Sequence, residues 1–370
     1  HALAADLVEG EGALRYQLGG ENSSILDLKG AGTLVLDNAD ADSAASFSIG
    51  GDVSAFTGGL TVQGNTTLAL NGKANDLVSA SEASVTIGDG AVLKVENIAG
   101  WHTIWRLNDA QNLHTTGTGT IDVVDRGWLT EDVHIHKNFS CETSFALHGD
   151  GFYSNKRRNV YVGEGAGFYV DDTLTLMTYV GLVVQGGTID AGTLDVGNAQ
   201  YWSKFFMSSG LLTAGSIKLS SHNGGTEVNI SGGCVEFTQS QALNRAGNSA
   251  PYVRIVGSGP DSTVTLKATR TDWTLDGSGL NNKPFIGNIT VDAGNTHGIT
   301  LANVALTGSI VNNAELTLGE GVSVAAGSSA VLSGASIAID RTITNAGTVP
   351  LTDVTITEHK DINSKSQTIP

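Results

Sequence analysis

Residues 30–70 read GAGTLVLDNADADSAASFSIGGDVSAFTGGLTVQGNTTLAL. Leu34 and Leu36, Leu60 and Val62, and Leu68 and Leu70 take alternate positions in three short runs, with Gly, Asn and Asp between them. A period of two places successive side chains on opposite faces of an extended strand, and the Gly and Asx clusters supply the backbone angles of tight turns. No apolar stripe of helical period crosses the stretch. The apolar runs recur from Leu34 to Leu60 to Val85, an interval that suits one three-sided coil per repeat. Such coils would stack at the inter-strand spacing of about 4.8 Å, giving an all-β parallel solenoid.

The order Gly30-Ala-Gly32-Thr-Leu34-Val-Leu36, a polar spacer, then Phe56-Thr57-Gly58-Gly59-Leu60-Thr61-Val62 and Asn65-Thr66-Thr67-Leu68-Ala69-Leu70 resembles the autotransporter-associated β-strand repeat of bacterial surface passengers. The match covers about forty residues and is loose elsewhere. The resemblance implies a right-handed parallel β-helix displayed outside a Gram-negative cell, secreted or held at the surface, with no catalytic residues in the repeat itself. Read without it, the residues leave the handedness open.

Glycine supplies 48 of 370 residues, roughly twice the usual share of about 7 %, and proline only 5, which fits turns at each strand end without Pro-rich linkers. The net charge is −17: residues 1–100 carry −9 and 101–200 carry −6, whereas 201–300 carry +1 and 301–370 carry −3. An acidic surface disfavours nucleic acid and anionic lipid as partners. No run of 18 apolar residues is present, so no membrane insertion by a helix is expected within the chain. His1-Ala2-Leu3-Ala4 suits the end of a signal peptide or an expression remnant. Translocation or anchoring is expected from a separate domain outside the chain. Cys141 and Cys234 lie near four coils apart and are expected to be free, buried thiols.

In order, residues 1–29 read as a cap or lead-in strands and 30–100 as coils bearing the repeat. Residues 101–180 form an irregular stretch rich in aromatics and His, 181–349 regular coils, and 350–370 a terminal strand and tail. A helical turn is expected within Gln239–Arg245, and small-sided coils towards the end. The stretch 101–180 is the expected recognition surface, since coils vary on one side without disturbing the core. Trp101, Trp105 and Trp128 either stack on sugar rings or plug coil interiors. His134 and His136 fall on one strand face, a spacing used by metal sites, but two ligands make no site and no metal or other cofactor is expected. Lys156-Arg157-Arg158, beside Tyr153 and Tyr161, offers charge and rings to a sulfated or sialylated glycan. Asp37, Asp40 and Asp42 read as Asx turns rather than a calcium site.

Two functions stand against each other. One is a structural spacer and adhesin that meets host or matrix glycans or glycoproteins, without catalysis. The other is a polysaccharide lyase or glycosidase, for which Asp171, Asp172, Asp190 and Asp195 with Lys156, Arg157 and Arg158 are the residues to inspect. No nucleophile elbow, phosphate loop, zinc-protease helix or Cys-x-x-Cys pair occurs.

Overall fold

The computed structural model describes residues 2–6, 13–17, 23–38, 40, 42–78, 82–95, 103–123, 126–149, 157–197, 203–219, 225–245, 251–259, 261–334, 337–339, 344–345, 347–349, 351–352 and 356–359. The fold is a parallel β-solenoid, 58 % strand and 5 % helix, so the strands have no helical layer to pack on and bury their apolar faces against one another. Two compact units divide the chain. The first comprises His1–Trp128, Ile135–Thr143 and Gly165–Tyr169, and the second Leu129–His134, Ser144–Glu164 and Val170–Pro370.

In unit 1, strands Ala13–Gln17, Thr33–Asn38, Gly59–Gly64, Ser84–Ile87 and Leu113–Thr115 form a five-stranded parallel sheet. Leu34 lies opposite Leu60, Leu60 opposite Val85 and Val85 opposite Leu113, so the interval expected from sequence holds and extends by one further coil. A second face stacks Phe47 on Leu68, Leu68 on Leu93, Leu93 on Ile121 and Ile121 on Phe139, all buried. Ala45–Ile49 alternates buried and half-buried residues along its length, because each coil closes on a single interior. Full burial of each such Leu or Phe contributes about 1.5–3 kcal/mol.

Within the His-rich stretch, Leu113–Thr115, Thr120–Asp122 and Asn138–Cys141 pair in parallel with earlier or later coils of unit 1. What interrupts it is the short helix Thr103–Asp109, which turns Ile104, Trp105 and Leu107 inward.

In unit 2, Val180–Val196 and Lys204–Ala214 are long strands that serve two faces each. Val160, Leu182, Phe205, Val228 and Val253 make one interior column, and Ile189, Leu212, Val235, Leu266 and Val291 another. The two columns meet at a glycine corner. Gly210 has φ +98°, and a Cβ there would collide with the Gly187 carbonyl, so only glycine lets the coils approach at that bend. A third sheet carries Trp273, Ile299, Leu316 and Ile337 in register. The chain takes fewer residues to pass from Ile299 to Leu316, and from Leu316 to Ile337, than it does per coil of unit 1, so the small-sided coils expected towards the end are present. The helical turn expected within Gln239–Arg245 is absent: Leu243–Arg245 is a strand paired with Ile217–Leu219, whose ladder overrides local preference.

Outside, opposite charges sit across neighbouring coils. Lys94 meets Glu142 at 2.6 Å and Asp122 at 3.6 Å, and Lys218 meets Asp195 at 2.9 Å. Cys141 and Cys234 form no disulfide, as expected, but only the first is fully buried. Cys234 is half-buried, and desolvation still raises its thiol pKa.

Candidate functional site

An outward column on unit 2 brings together several rings and cations. Tyr161 lies opposite Val183, and Phe206, Asn229, Arg254 and Phe285 succeed it coil by coil. Beside it, two residues earlier along each strand, run Asn159, Gly181, Lys204, Glu227 and Tyr252. Rungs are about 4.8 Å apart, so from Tyr161 to Phe285 the strip extends about 24 Å. These residues point outward because their neighbours Val160, Phe205, Val253 and Ile286 occupy the interior.

Contacts within the strip hold the rings. His134 stacks on Tyr161 with centroids 4.6 Å apart and planes 11° from parallel. Asn159 donates from Nδ2 to the Tyr161 hydroxyl at 3.3 Å, and its backbone N–H donates to Asp132 Oδ1 at 2.9 Å. The Arg157 guanidinium and the Lys204 ammonium each lie 5.7 Å from the centre of the Phe206 ring, within cation–π range. Tyr252 packs on Phe285 at 5.8 Å, receives a hydrogen bond from Arg254 Nη1 at 3.4 Å and remains 38 % exposed. The strip therefore combines ring faces with Arg157, Arg254 and Lys204, the last paired with Glu227 at 2.5 Å, and much of it falls in 201–300, the one segment of positive charge.

Of the residues singled out from sequence, the structure places His134 and Arg157 in or beside this strip, with Arg158 at the start of its first strand. Trp101 and Lys156 lie outside the described residues. Trp105 is buried and donates from Nε1 to the Trp128 carbonyl at 2.7 Å, so its ring packs the interior; Trp128 is half-buried. His136 is exposed, its backbone N–H bonded to Asn108 Oδ1 at 2.9 Å, and it lines a cavity with His114 and Lys137. Phe206, Lys204, Tyr252, Arg254 and Phe285 were not singled out. Their signal was phase: Phe205 and Met207 take the inward positions of Lys204–Ala214, which leaves Phe206 on the outward face that Asn229 and Arg254 occupy in the next two coils.

A second cluster assembles carboxylates. Asp190 lies opposite Thr213, Thr213 opposite Glu236, and Glu236 opposite Lys267. Glu236 is buried, and its Oε1 accepts the Thr269 N–H at 3.0 Å and the Thr269 hydroxyl at 2.5 Å. Burial, aided by the charges of Asp171 and Glu236 and opposed by Arg270, raises the Asp190 pKa above its ordinary 3.8. Asp172 accepts from the Ser144 hydroxyl at 2.6 Å, and Asp195 binds Lys218, so neither joins the cluster. Folded Asp190 holds its proton more tightly than the unfolded chain does. Its contribution to stability is therefore complete below the ordinary value and is lost as the pH rises through the raised one. Asp190→Asn is expected to flatten that slope and to raise Tm at pH 7 while leaving Tm near pH 3 unchanged, as thermal unfolding across pH would show.

Asp40 accepts from the Asp42 N–H and the Ser43 hydroxyl, an Asx turn, and Asp37 pairs with Arg15. Among the described residues no three His, Cys, Asp or Glu side chains gather to hold a metal, and no helix is long and apolar enough to cross a membrane. No protein-family profile matches the chain, and no curated protein or solved structure does so.

Proposed function

We propose that this chain is the displayed part of an exported bacterial surface protein, a β-solenoid that acts as a spacer and adhesin without catalysis. Its contact face is the strip from Tyr161 to Phe285, and its partners are anionic glycans or glycoproteins of a host or matrix. The observation that carries the reading is the coincidence of outward rings with Arg157, Lys204 and Arg254 in a protein of net charge −17. Rings take the apolar faces of sugars, and cations take sulfate or carboxylate groups. Export and a separate anchoring domain rest on the resemblance of residues 30–70 to autotransporter passengers.

A glycan array with sulfated, sialylated and neutral members tests this. Binding is expected to sulfated or sialylated members and to weaken as salt rises, because exposed ion pairs are screened within about 10 Å at 0.1 M salt. An array without signal, or one dominated by neutral glycans, would sink it.

The second reading, a polysaccharide hydrolase or lyase, is favoured by Asp190 and Glu236 two coils apart beside Arg270 and Lys267. Two rungs amount to about 9.6 Å between backbones, near the upper end of the roughly 6.5–9.5 Å between the carboxyl groups of inverting glycosidases. Release of reducing or unsaturated sugar ends, abolished by Asp190→Asn, would establish this reading in place of the first.

A further inference from the structure

Unit 1 holds a cavity of about 340 Å³ between the end of the helix Thr103–Asp109, the strand Leu113–Thr115 and the segment His136–Lys137. That volume is at the lower end of small-molecule sites, which run from about 300 to 1,000 Å³. Its wall is made of Asn108, Gln111, His114, Thr115, His136 and Lys137, with an apolar patch from the half-buried Ala110.

Lys137 is the unusual member. Only 6 % of the residue is exposed, and its ammonium donates to the Asn108 carbonyl, capping the helix end. A cap uses one of three N–H donors. Desolvation holds the Lys137 pKa below its ordinary 10.5, with Asp109 acting against it. Most of the other polar groups are donors or already occupied. Asn108 Oδ1 is taken by the His136 N–H, and Thr115 Oγ1 accepts the Asn138 N–H at 2.9 Å, which leaves the Thr115 proton to give. Among the described residues no carboxylate lines the cavity. A largely buried cation that shares a cavity wall with two imidazoles and a hydroxyl is costly when unpaired and is relieved by an anion.

We propose that this cavity binds a carboxylate-bearing sugar residue, one ring in size, with its carboxylate between Lys137 and the imidazoles of His114 and His136 and its ring against Ala110. The site does not depend on the aromatic strip of unit 2, so either can fail without the other.

The test is NMR of the imidazole resonances in the full chain, titrated with sodium glucuronate, glucose, glucose 6-sulfate and acetate. Glucuronate is expected to shift His114 and His136 saturably, with glucose, which lacks the anion, and acetate, which lacks the ring, each at least about tenfold weaker, and glucose 6-sulfate weaker because its bulkier anion sits on a longer arm from the ring. Lys137→Met is expected to weaken glucuronate about tenfold. Because Lys137 also caps the helix, His114→Gln on the exposed rim gives a second measure and should cost roughly threefold or more with thermal stability unchanged. A variant lacking Phe206 and Tyr252 should bind glucuronate as the parent does. A glucuronate-terminated oligosaccharide binding as well as the free acid identifies a chain end as the source, and weaker binding identifies the free sugar acid. Glucose or acetate binding equally well, glucose 6-sulfate matching glucuronate, or unmoved imidazole resonances would overturn the assignment.

Discussion

Trp273→Ala is expected to destabilise unit 2 by about 3–5 kcal/mol, the range for removing a large aromatic from a close-packed interior. Trp273 is 1 % exposed, meets Phe237 edge-on at 5.1 Å and donates from Nε1 to the Lys267 carbonyl at 2.7 Å. Alanine leaves a void, loses the edge-to-face contact worth about 0.5–1.5 kcal/mol, and orphans a carbonyl at the coil corner. Trp273→Phe keeps most of the packing and should cost less than half as much. Guanidinium unfolding followed by circular dichroism measures both. Equal effects, or an alanine variant within about 1 kcal/mol of the parent, would show that the coil interior closes around the gap.

Joint replacement of Phe206 and Tyr252 by alanine is expected to lower affinity for a sulfated glycan by about ten- to a hundredfold. Each lost ring removes about 0.5–1.5 kcal/mol of stacking, and Phe206 also organises Arg157 and Lys204. Both side chains are at least partly exposed, so Tm should move little. Calorimetric titration of parent and variant against one sulfated oligosaccharide reads the difference. Unchanged affinity would remove the strip from the account of adhesion.

The coil period was legible because burial acts on each residue alone. Leu34, Leu60 and Val85 announce an interior wherever their partners lie, and their spacing sets the first coils. The outward strip was not legible, because it depends on which coil faces which. The passage from Val235 to Leu266 is nearly twice as long as that from Ile299 to Leu316, and a slip of a single position would move a ring to the other face. The same difficulty hid Glu236. Asp190 was singled out from sequence, whereas Glu236, whose charge adds to the effect of burial and of Asp171 on its pKa, arrives two coils later through Thr213. The helix Thr103–Asp109 escaped because so brief an element gives Ile104, Trp105 and Leu107 too short a run to separate one period from another. His134 lies on the strand Val133–Ile135 whereas His136 falls beyond its end, and the ring that holds His134 is Tyr161, which no spacing argument names.

Leu316 and Ile337 occupy equivalent places in adjacent coils of the third sheet. Excising residues 316–336 would therefore join Glu315 to Ile337 with every later side chain still in phase. Replication slippage over one such interval changes the reach of the protein by a single step without scrambling the coils downstream. Such a change in length leaves the strip from Tyr161 to Phe285 as it was.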